Sequence, residues 1–407
     1  MIVIDGPAEL CGELKVQGAK NSTLPLLAAT VLCRGQTVLH NCPHLSDVDT
    51  AVRILEHLGS RCHWQGDSLV VDTSMTCFQI PPELMREMRS SIVFLGAIIS
   101  RCGEAELCFP GGCELGPRPI DLHIDALRRL GVEIEESGGC LRCCAPEGIQ
   151  GTYISLSFPS VGATENIILA AACSRGTTVI ANAAREPEIS DLAAYLNRCG
   201  ARIYGAGEGC IIIDGVKELY GCEHTVMPDR ITGGNVTLRD VDNTHILPML
   251  APFEQSGCSV RQLGRALNIM APRRLSAVRH IRTMPYPGFP TDAQPVVMAM
   301  AAVGRGTSIF VETIFENRFK HAEGLERLGA KIKVEGKVAI VEGVEHLTGA
   351  PVMSHDLRGG AALVVAGLCA QGRTQVDGVE YIRRGYEDLA GNLADLGARI
   401  REVEEAP

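Results

Sequence analysis

One pattern returns along this chain and limits what it can fold into: a helix-length segment, a Gly-Thr or Gly-Arg-Thr strand, a second helix ending in Leu-Gly, and a closing strand. Its period is about 50 to 70 residues, the mark of an architecture in which each copy is one supersecondary unit. The first copy carries Leu24 to Leu32, Arg34-Gly35-Gln36-Thr37-Val38, Leu58-Gly59 and Ser68-Leu69-Val70-Val71. The second runs from Arg89-Ser90-Ser91 to Leu130-Gly131-Val132-Glu133-Ile134, and the third from Ser160-Val161-Gly162-Ala163-Thr164 to Arg198-Cys199-Gly200-Ala201-Arg202-Ile203. Pro290-Thr291-Asp292 opens the fifth, which reaches Leu328-Gly329-Ala330-Lys331-Ile332, and Asp356-Leu357-Arg358 the sixth, which reaches Leu396-Gly397-Ala398-Arg399-Ile400. In the fourth, about 229–280, Arg230-Ile231 runs straight into Thr232-Gly233-Gly234-Asn235-Val236, leaving no room for the first helix.

The first helices (Leu24 to Leu32, Ile167 to Ala172, Ala361 to Leu368) are apolar nearly all round and so belong inside a domain, whereas the second helices are amphipathic and belong outside. The expected fold class is α/β, with buried helices enclosed by sheets from three copies each, giving two globular halves with a cleft between them. At 407 residues the chain is long enough for two or three domains. Aromatic residues make up only 4% against 46% apolar, so its cores must be built from Ala, Val, Ile and Leu. A net charge of −10 argues against nucleic acid or an anionic membrane as the main partner.

The 17 cysteines are odd in number and irregular in spacing, and Met1-Ile2-Val3-Ile4 opens without a signal-peptide layout. The expectation is a reducing, cytoplasmic setting. No run of about 18 apolar residues is present to span a membrane. Cys140, Cys143 and Cys144 sit close enough to suggest zinc, but no second ligand pair lies at zinc spacing, which favours a strand-end cluster.

The stretch from Pro110 to His123 carries the clearest chemistry. Glycines before and after Cys113 allow a tight turn and close approach to a ligand, while Pro117 and Pro119 stiffen the backbone around Arg118. A thiol near fixed positive charge has its thiolate favoured, so Cys113 is a candidate for covalent or acid–base chemistry on an anionic substrate.

Six ordered motifs, Gly18-Ala19-Lys20-Asn21, Pro110 through His123, Ser160 through Asn166, Pro290-Thr291-Asp292, Phe315-Glu316-Asn317-Arg318-Phe319 and Arg384-Gly385-Tyr386-Glu387, together resemble the enolpyruvyl transferases that act on UDP-N-acetylglucosamine in peptidoglycan synthesis. The resemblance covers essentially the whole chain. It implies a two-domain inside-out α/β barrel of six repeats, with one domain over 20–228 and the other over 1–19 plus 229–407. It also implies transfer of the enolpyruvyl group of phosphoenolpyruvate to the sugar 3′-hydroxyl with release of phosphate. No metal, organic cofactor or obligate protein partner is expected.

Such an addition needs a proton for the methylene carbon, a base for the hydroxyl, and cations for carboxylate and phosphate. By resemblance, Cys113 is the general acid and forms a covalent adduct with phosphoenolpyruvate. Asp292 faces the sugar 3′-hydroxyl, though Thr-Asp before Ala293-Gln294 equally suits a helix N-cap. Lys20, Arg118 and Arg384 match the cations that hold phosphoenolpyruvate, with Arg89 and Arg358 close by. Each alone reads as a solvated surface charge, and the five make sense only if they converge. Asn21 matches a sugar contact, and Arg118, Pro119, Ile120, Asp121, Leu122, His123, Ser160, Val161, Gly162 and Ile314 match the nucleotide side. The amides at Ser160 to Gly162 open a helix, a ready place for diphosphate oxygens, while His123 alone could be a satisfied core histidine.

Two departures fall on the second domain. About ten residues of the family's pattern, a buried helix, are missing after Ile231, and Arg383 stands where the family usually has Asp, adding positive charge beside Arg384. The missing helix keeps open a second reading, a paralogue that binds the UDP-sugar but turns over poorly or not at all. The related shikimate-pathway transferase is disfavoured by the Cys113 loop and the Ser160 motif.

Overall fold

The computed structural model describes residues 1–108, 120–227 and 235–403, with the side chains of Arg89, Asn235 and Asn243 excepted. The first copy is a buried helix α1 (Lys20–Thr30), the strand Cys33–His40, an outer helix α2 (Ser46–His57) and the hairpin Arg61–Gln65/Ser68–Thr73. The second has α3 (Phe94–Cys102), Glu104–Cys108, α4 (Asp121–Arg129) and Glu133–Ser137/Cys140–Cys144. The third has α5 (Val161–Ala171), Thr177–Ala181, α6 (Pro187–Arg198) and Arg202–Tyr204/Cys210–Asp214.

In the fourth copy the strand Asn235–Arg239 leads to α7 (Asn243–Gln255) and the hairpin Ser259–Leu263/Ala266–Met270. The fifth runs α8 (Gln294–Ala302), Thr307–Val311, α9 (His321–Arg327) and Lys331–Glu335/Val338–Glu342. The sixth has α10 (Leu357–Cys369), Ala370–Asp377 and two short helices, Val379–Ile382 and Leu389–Asp395. Its sheet is finished by Ile400–Glu402 and by the chain's own beginning, Ile2–Gly6, antiparallel to both Ala370–Asp377 and Ile400–Glu402.

Each copy therefore makes one mixed sheet: an antiparallel hairpin on the central strand, and a parallel strand on its other side. The fourth sheet takes that parallel strand from Cys11–Lys15, with Cys11 opposite Asn235 and Lys15 opposite Arg239. The strands alternate, as Cys210–Asp214 does with Ile211 and Ile213 buried and Ile212 exposed, so each sheet turns one face to a core and the other to water.

The described residues divide into two compact units, 17–108 with 120–227, and 1–16 with 235–403. In the former, α3 packs on both α1 and α5, and one continuous apolar cluster runs from Leu24 to Val226. In the latter, α8 packs on α10, and the core is split. One cluster gathers Ile2, Ile4, Phe310, Leu325 and Leu363, and a smaller one gathers Val16, Val236, Leu238, Ile246, Met249, Leu267 and Ile269. Leu10 and Phe289 pack against both.

The smaller cluster coincides with the shortened fourth copy. Only nine residues, 226–234, separate Thr225 from the next strand, and no buried helix is described there, whereas the buried helices elsewhere span nine to thirteen residues. The copy keeps its sheet and outer helix and closes its own small core around them.

Two cysteines, Cys108 and Cys140, are paired. These stand directly opposite each other where Glu104–Cys108 pairs with Cys140–Cys144, and they form a disulfide. Fourteen other described cysteines are free. Cys143, buried on the same strand, has its thiol pushed up to about 11 by burial. Among the described residues, no group of three or more His, Cys, Asp or Glu is placed to hold a metal, and no helix is long and apolar enough to cross a membrane.

Candidate active site

In the unit of 17–108 and 120–227, α1 presents Lys20 and Asn21 on its first turn. Asn21 is exposed; Lys20 is half-buried, with its ammonium 2.5 Å from the buried Asp47 carboxylate in the first turn of α2. The chain enters this helix by a close backbone approach: a Cβ on Gly18 would lie 1.9 Å from the Asn41 carbonyl oxygen, so only glycine fits.

The segments Ile120–His123 and Ser160–Gly162 belong to different copies and meet because α4 packs on α5. His123 is 8% exposed, and its Nδ1 accepts a hydrogen bond of 2.7 Å from Asn166 Nδ2 of α5. Asn166 is fixed in turn, donating to Ile92 O at 2.9 Å and accepting from Gly96 N at 2.6 Å. A Cβ on Gly162 would stand 3.2 Å from His123 Cε1, so the ring rests against the Gly162 backbone. His123 is thus a satisfied, buried histidine that also touches a predicted site residue. Ser160 caps α5, its hydroxyl accepting from Ala163 N at 3.4 Å, while Val161 and Gly162 begin the helix half-buried. Ile120 and Leu122 are half-buried and Asp121 is exposed at the start of α4.

One group in this unit escaped the sequence reading. Glu165 lies inside α5, and burial, reinforced by Glu188 and Glu186, pushes its carboxyl well above the ordinary range. A carboxylate in a helix read as interior was the available signal.

In the unit containing 235–403, Asp292 does not cap α8. That helix starts at Gln294 after Ala293 and has no side-chain cap bond. The Asp292 carboxylate instead joins two buried guanidiniums: Oδ1 accepts from Arg318 Nη2 at 3.2 Å and Oδ2 from Arg358 Nε at 3.3 Å. Arg318 and Arg358 are 3% and 5% exposed, against 36% for Asp292. Arg318 also donates to the Thr291 carbonyl from Nε and Nη2, and its Nη1 lies 3.7 Å from Asp356 Oδ1. Asp356 caps α10, accepting from Arg358 N and Gly359 N at 3.0 and 2.9 Å. Each guanidinium lies over a ring, Arg318 on Phe315 and Arg358 on Tyr386.

Ile314 is tied to the same group through Glu312. That buried carboxylate accepts from the Ile314 and Phe315 amides at 2.8 and 3.0 Å, and from the Thr291 hydroxyl at 3.0 Å. Arg318 and Glu312 were assigned no role in the sequence. His321, also buried, donates from Nδ1 to Arg318 O at 3.1 Å, and burial brings its ring down to about 4 against the opposing pull of Asp356. Arg384 is half-buried in the turn after Val379–Ile382. Arg383, the unexpected neighbour, is exposed and directs its guanidinium to Glu402, so its charge is paired. Cys113, Arg118 and Pro119 lie outside the described residues, as does the side chain of Arg89.

The structure therefore joins Asp292, Ile314 and Arg358, brings His123 against Gly162, and places Lys20 beside Asp47. The repeat fold, with buried helices enclosed by sheets, is the architecture of the enolpyruvyl transferases, as the comparisons show. The family model described as EPSP synthase (3-phosphoshikimate 1-carboxyvinyltransferase) matches residues 4–393. The enolpyruvyl transferase NikO from Streptomyces tendae has a TM-score of 0.88 at 25% identity over 98% of both chains. EPSP synthase from Acinetobacter baumannii shares the fold, with a TM-score of 0.75 at 17% identity over 99% of both chains.

Closer relatives are more particular. A UDP-N-acetylglucosamine 1-carboxyvinyltransferase from Caldanaerobacter subterraneus subsp. tengcongensis is 50% identical over 98% of this chain and 99% of its own. Another from Symbiobacterium thermophilum is 47% identical over 98% of this chain and 95% of its own. The chain belongs to the UDP-N-acetylglucosamine 1-carboxyvinyltransferase family of enolpyruvyl transferases.

Proposed function

We propose that this protein transfers the enolpyruvyl group of phosphoenolpyruvate to the 3′-hydroxyl of UDP-N-acetylglucosamine, releasing phosphate, as a cytoplasmic first step of peptidoglycan synthesis. The observation that carries the reading is 50% identity, over 98% of the chain, to a relative bearing that activity in its name. In this assignment the Cys113 thiol gives its proton to the methylene carbon as the sugar oxygen bonds to the adjacent carbon, and Asp292 takes the hydroxyl proton. Loss of phosphate and of a methyl proton then restores the double bond. Lys20, Arg118 and Arg384, with Arg89 beside them, hold the anionic reactant. Asn21, Ile120 to His123, Ser160 to Gly162 and Ile314 serve the UDP-sugar.

The reading places the Cys113 loop in a domain over 20–228, and Asp292, Arg358 and Arg384 in a domain of 1–19 plus 229–407. The joined carboxylate and guanidiniums at Asp292 support a role that needs a directed oxygen, since both carboxylate oxygens have fixed partners. The test is phosphate release from phosphoenolpyruvate plus UDP-N-acetylglucosamine, in wild type and Cys113→Ser. Release by wild type is expected. The variant should lose product formation by about 10³-fold or more while binding the UDP-sugar near normally. Sugar binding with no release by wild type would favour the non-catalytic paralogue, and turnover retained in Cys113→Ser would remove the acid role.

A further inference from the structure

The first turn of α1 is held in an uncommon way. Ala19 precedes the helix and its side chain caps nothing, so the first amides gain no side-chain acceptor from it. Groups from elsewhere in the unit fix the turn instead. Lys20 meets Asp47 of α2, and the Ala19 amide donates to Met227 O at 2.7 Å. Ser22, fully buried, donates its hydroxyl to Asp191 Oδ2 of α6. The other oxygen of that carboxylate accepts from His224 Nε2 at 2.9 Å, on the strand Glu223–Thr225.

The Ser22 hydroxyl and His224 Nε2 both face the Asp191 carboxylate, one to each oxygen, while the other ring nitrogen, Nδ1, is buried without a hydrogen-bond partner among the described residues. Little water reaches the chain, with side-chain exposures of 13% at Asp191 and 7% at His224. The imidazole is braced as well, set edge-on to Tyr195 of α6 with ring centroids 5.5 Å apart. The Tyr195 hydroxyl shares a 3.1 Å hydrogen bond with Thr37. In such a low-dielectric place these hydrogen bonds are strengthened, and losing one member leaves the others unpaired.

Lys20 and Ser22 are two residues apart, about 200° around the helix axis. The Asp47 pair and the Ser22–Asp191–His224 chain therefore grip one turn from opposite sides. We propose that Ser22, Asp191 and His224 are positioning residues that set the rotation and depth of this turn, and so the location of the Lys20 ammonium. The proposal rests on the reading of Lys20 as a phosphoenolpyruvate-binding cation. None of the three touches a reactant in that reading; they act through Lys20.

The test compares Ser22→Ala, Asp191→Asn, His224→Leu and His224→Gln, each checked for folding by circular dichroism and thermal melting. Glutamine returns an N–H donor near the position of Nε2, and leucine does not. Asp191→Asn and His224→Leu should raise KM for phosphoenolpyruvate about tenfold with kcat down less than about threefold, since displacing a binding group by a fraction of an ångström weakens its reactant's hold. His224→Gln should recover most of that loss. A merely structural role predicts no such split between KM and kcat, and no recovery by glutamine. Ser22→Ala, which deletes one oxygen, carries the comparison if the other variants fail to fold.

A second readout needs no turnover: the rate at which trinitrobenzenesulfonate modifies Lys20, followed by peptide mass spectrometry. It should rise severalfold in Ser22→Ala, Asp191→Asn and His224→Leu and stay near wild type in His224→Gln. Wild-type rates in all folded variants would overturn the proposal. A wild-type protein that releases no phosphate would sink the functional reading alone, because the Lys20 rates would still decide the positioning.

Discussion

Arg318 is the residue on which the carboxylate–guanidinium group around Asp292 turns. One guanidinium serves the Thr291 carbonyl, the Asp292 carboxylate and, at 3.7 Å, Asp356. Lysine offers one point charge in place of a planar fork and cannot reach those three groups together. Arg318→Lys should therefore lose about 2–4 kcal/mol of stability by leaving buried charge partly unpaired, and turnover should fall about 10²-fold as Asp292 loses its direction. Urea denaturation and the phosphate-release assay check both; wild-type values in each would show that Arg358 alone holds Asp292. Asp292 and Arg358 were both singled out in the sequence, and a hydrogen bond joins them. Arg318 stood in a quoted motif without a role, because nothing in Phe315-Glu316-Asn317-Arg318-Phe319 says that its guanidinium is 3% exposed. The helix N-cap reading of Asp292 gave way for a related reason: two arginines distant in sequence offer it stronger partners than the amides of α8.

At the scale of elements, the apolar sequence of the first helices correctly marked them as interior, because a helix without a polar face has nowhere else to go. Glu165 is the exception inside α5. Its carboxyl is raised well above 4.5, first by burial and then by Glu188 and Glu186. Below the unfolded value both states hold the proton and nothing is lost. Above it the unfolded chain ionises while the folded one does not, so stability declines as pH rises toward the folded value. Glu165→Gln removes this term. Its melting temperature should match wild type near pH 4 and exceed it by a few degrees at pH 7 to 8; a difference independent of pH would place the origin in packing. The Cys108–Cys140 disulfide was hidden for another reason. The two cysteines are 32 residues apart and meet only because Glu104–Cys108 and Cys140–Cys144 adopt one register, which spacing in sequence does not encode.

Over the whole molecule, six repeats were readable because glycines and Leu-Gly ends punctuate each copy, and the short fourth copy was readable as a gap in that rhythm. How the gap would be filled was not, since it depends on neighbours contributed by distant segments: Val16, Ala293 and Leu396 all join the small fourth-copy cluster. The residues of that cluster are 1–8% exposed, whereas Ile167, Ile168 and Leu169 of α5 are fully buried. Burial of each such side chain stabilises by about 1.5–3 kcal/mol, so the smaller apolar cluster on the fourth sheet seals it less than the larger one seals the third. Proline inside α7, at 248 and 252, also withholds amide donors from the helix that remains. The fourth sheet should consequently open locally more readily than the third. In native-state hydrogen exchange, the amides of Val236, Thr237 and Leu238 should exchange at least about tenfold faster than those of Thr178, Val179 and Ile180 on the equivalent strand, a difference of about 1.4 kcal/mol in opening free energy. Equal protection would mean that the strand Cys11–Lys15, with α7 and the bridging side chains Leu10 and Phe289, seals this sheet as fully as the third is sealed. The deficit should be local, because the larger cluster around Phe310 and Leu363 keeps both of its buried helices, α8 and α10, packed on each other.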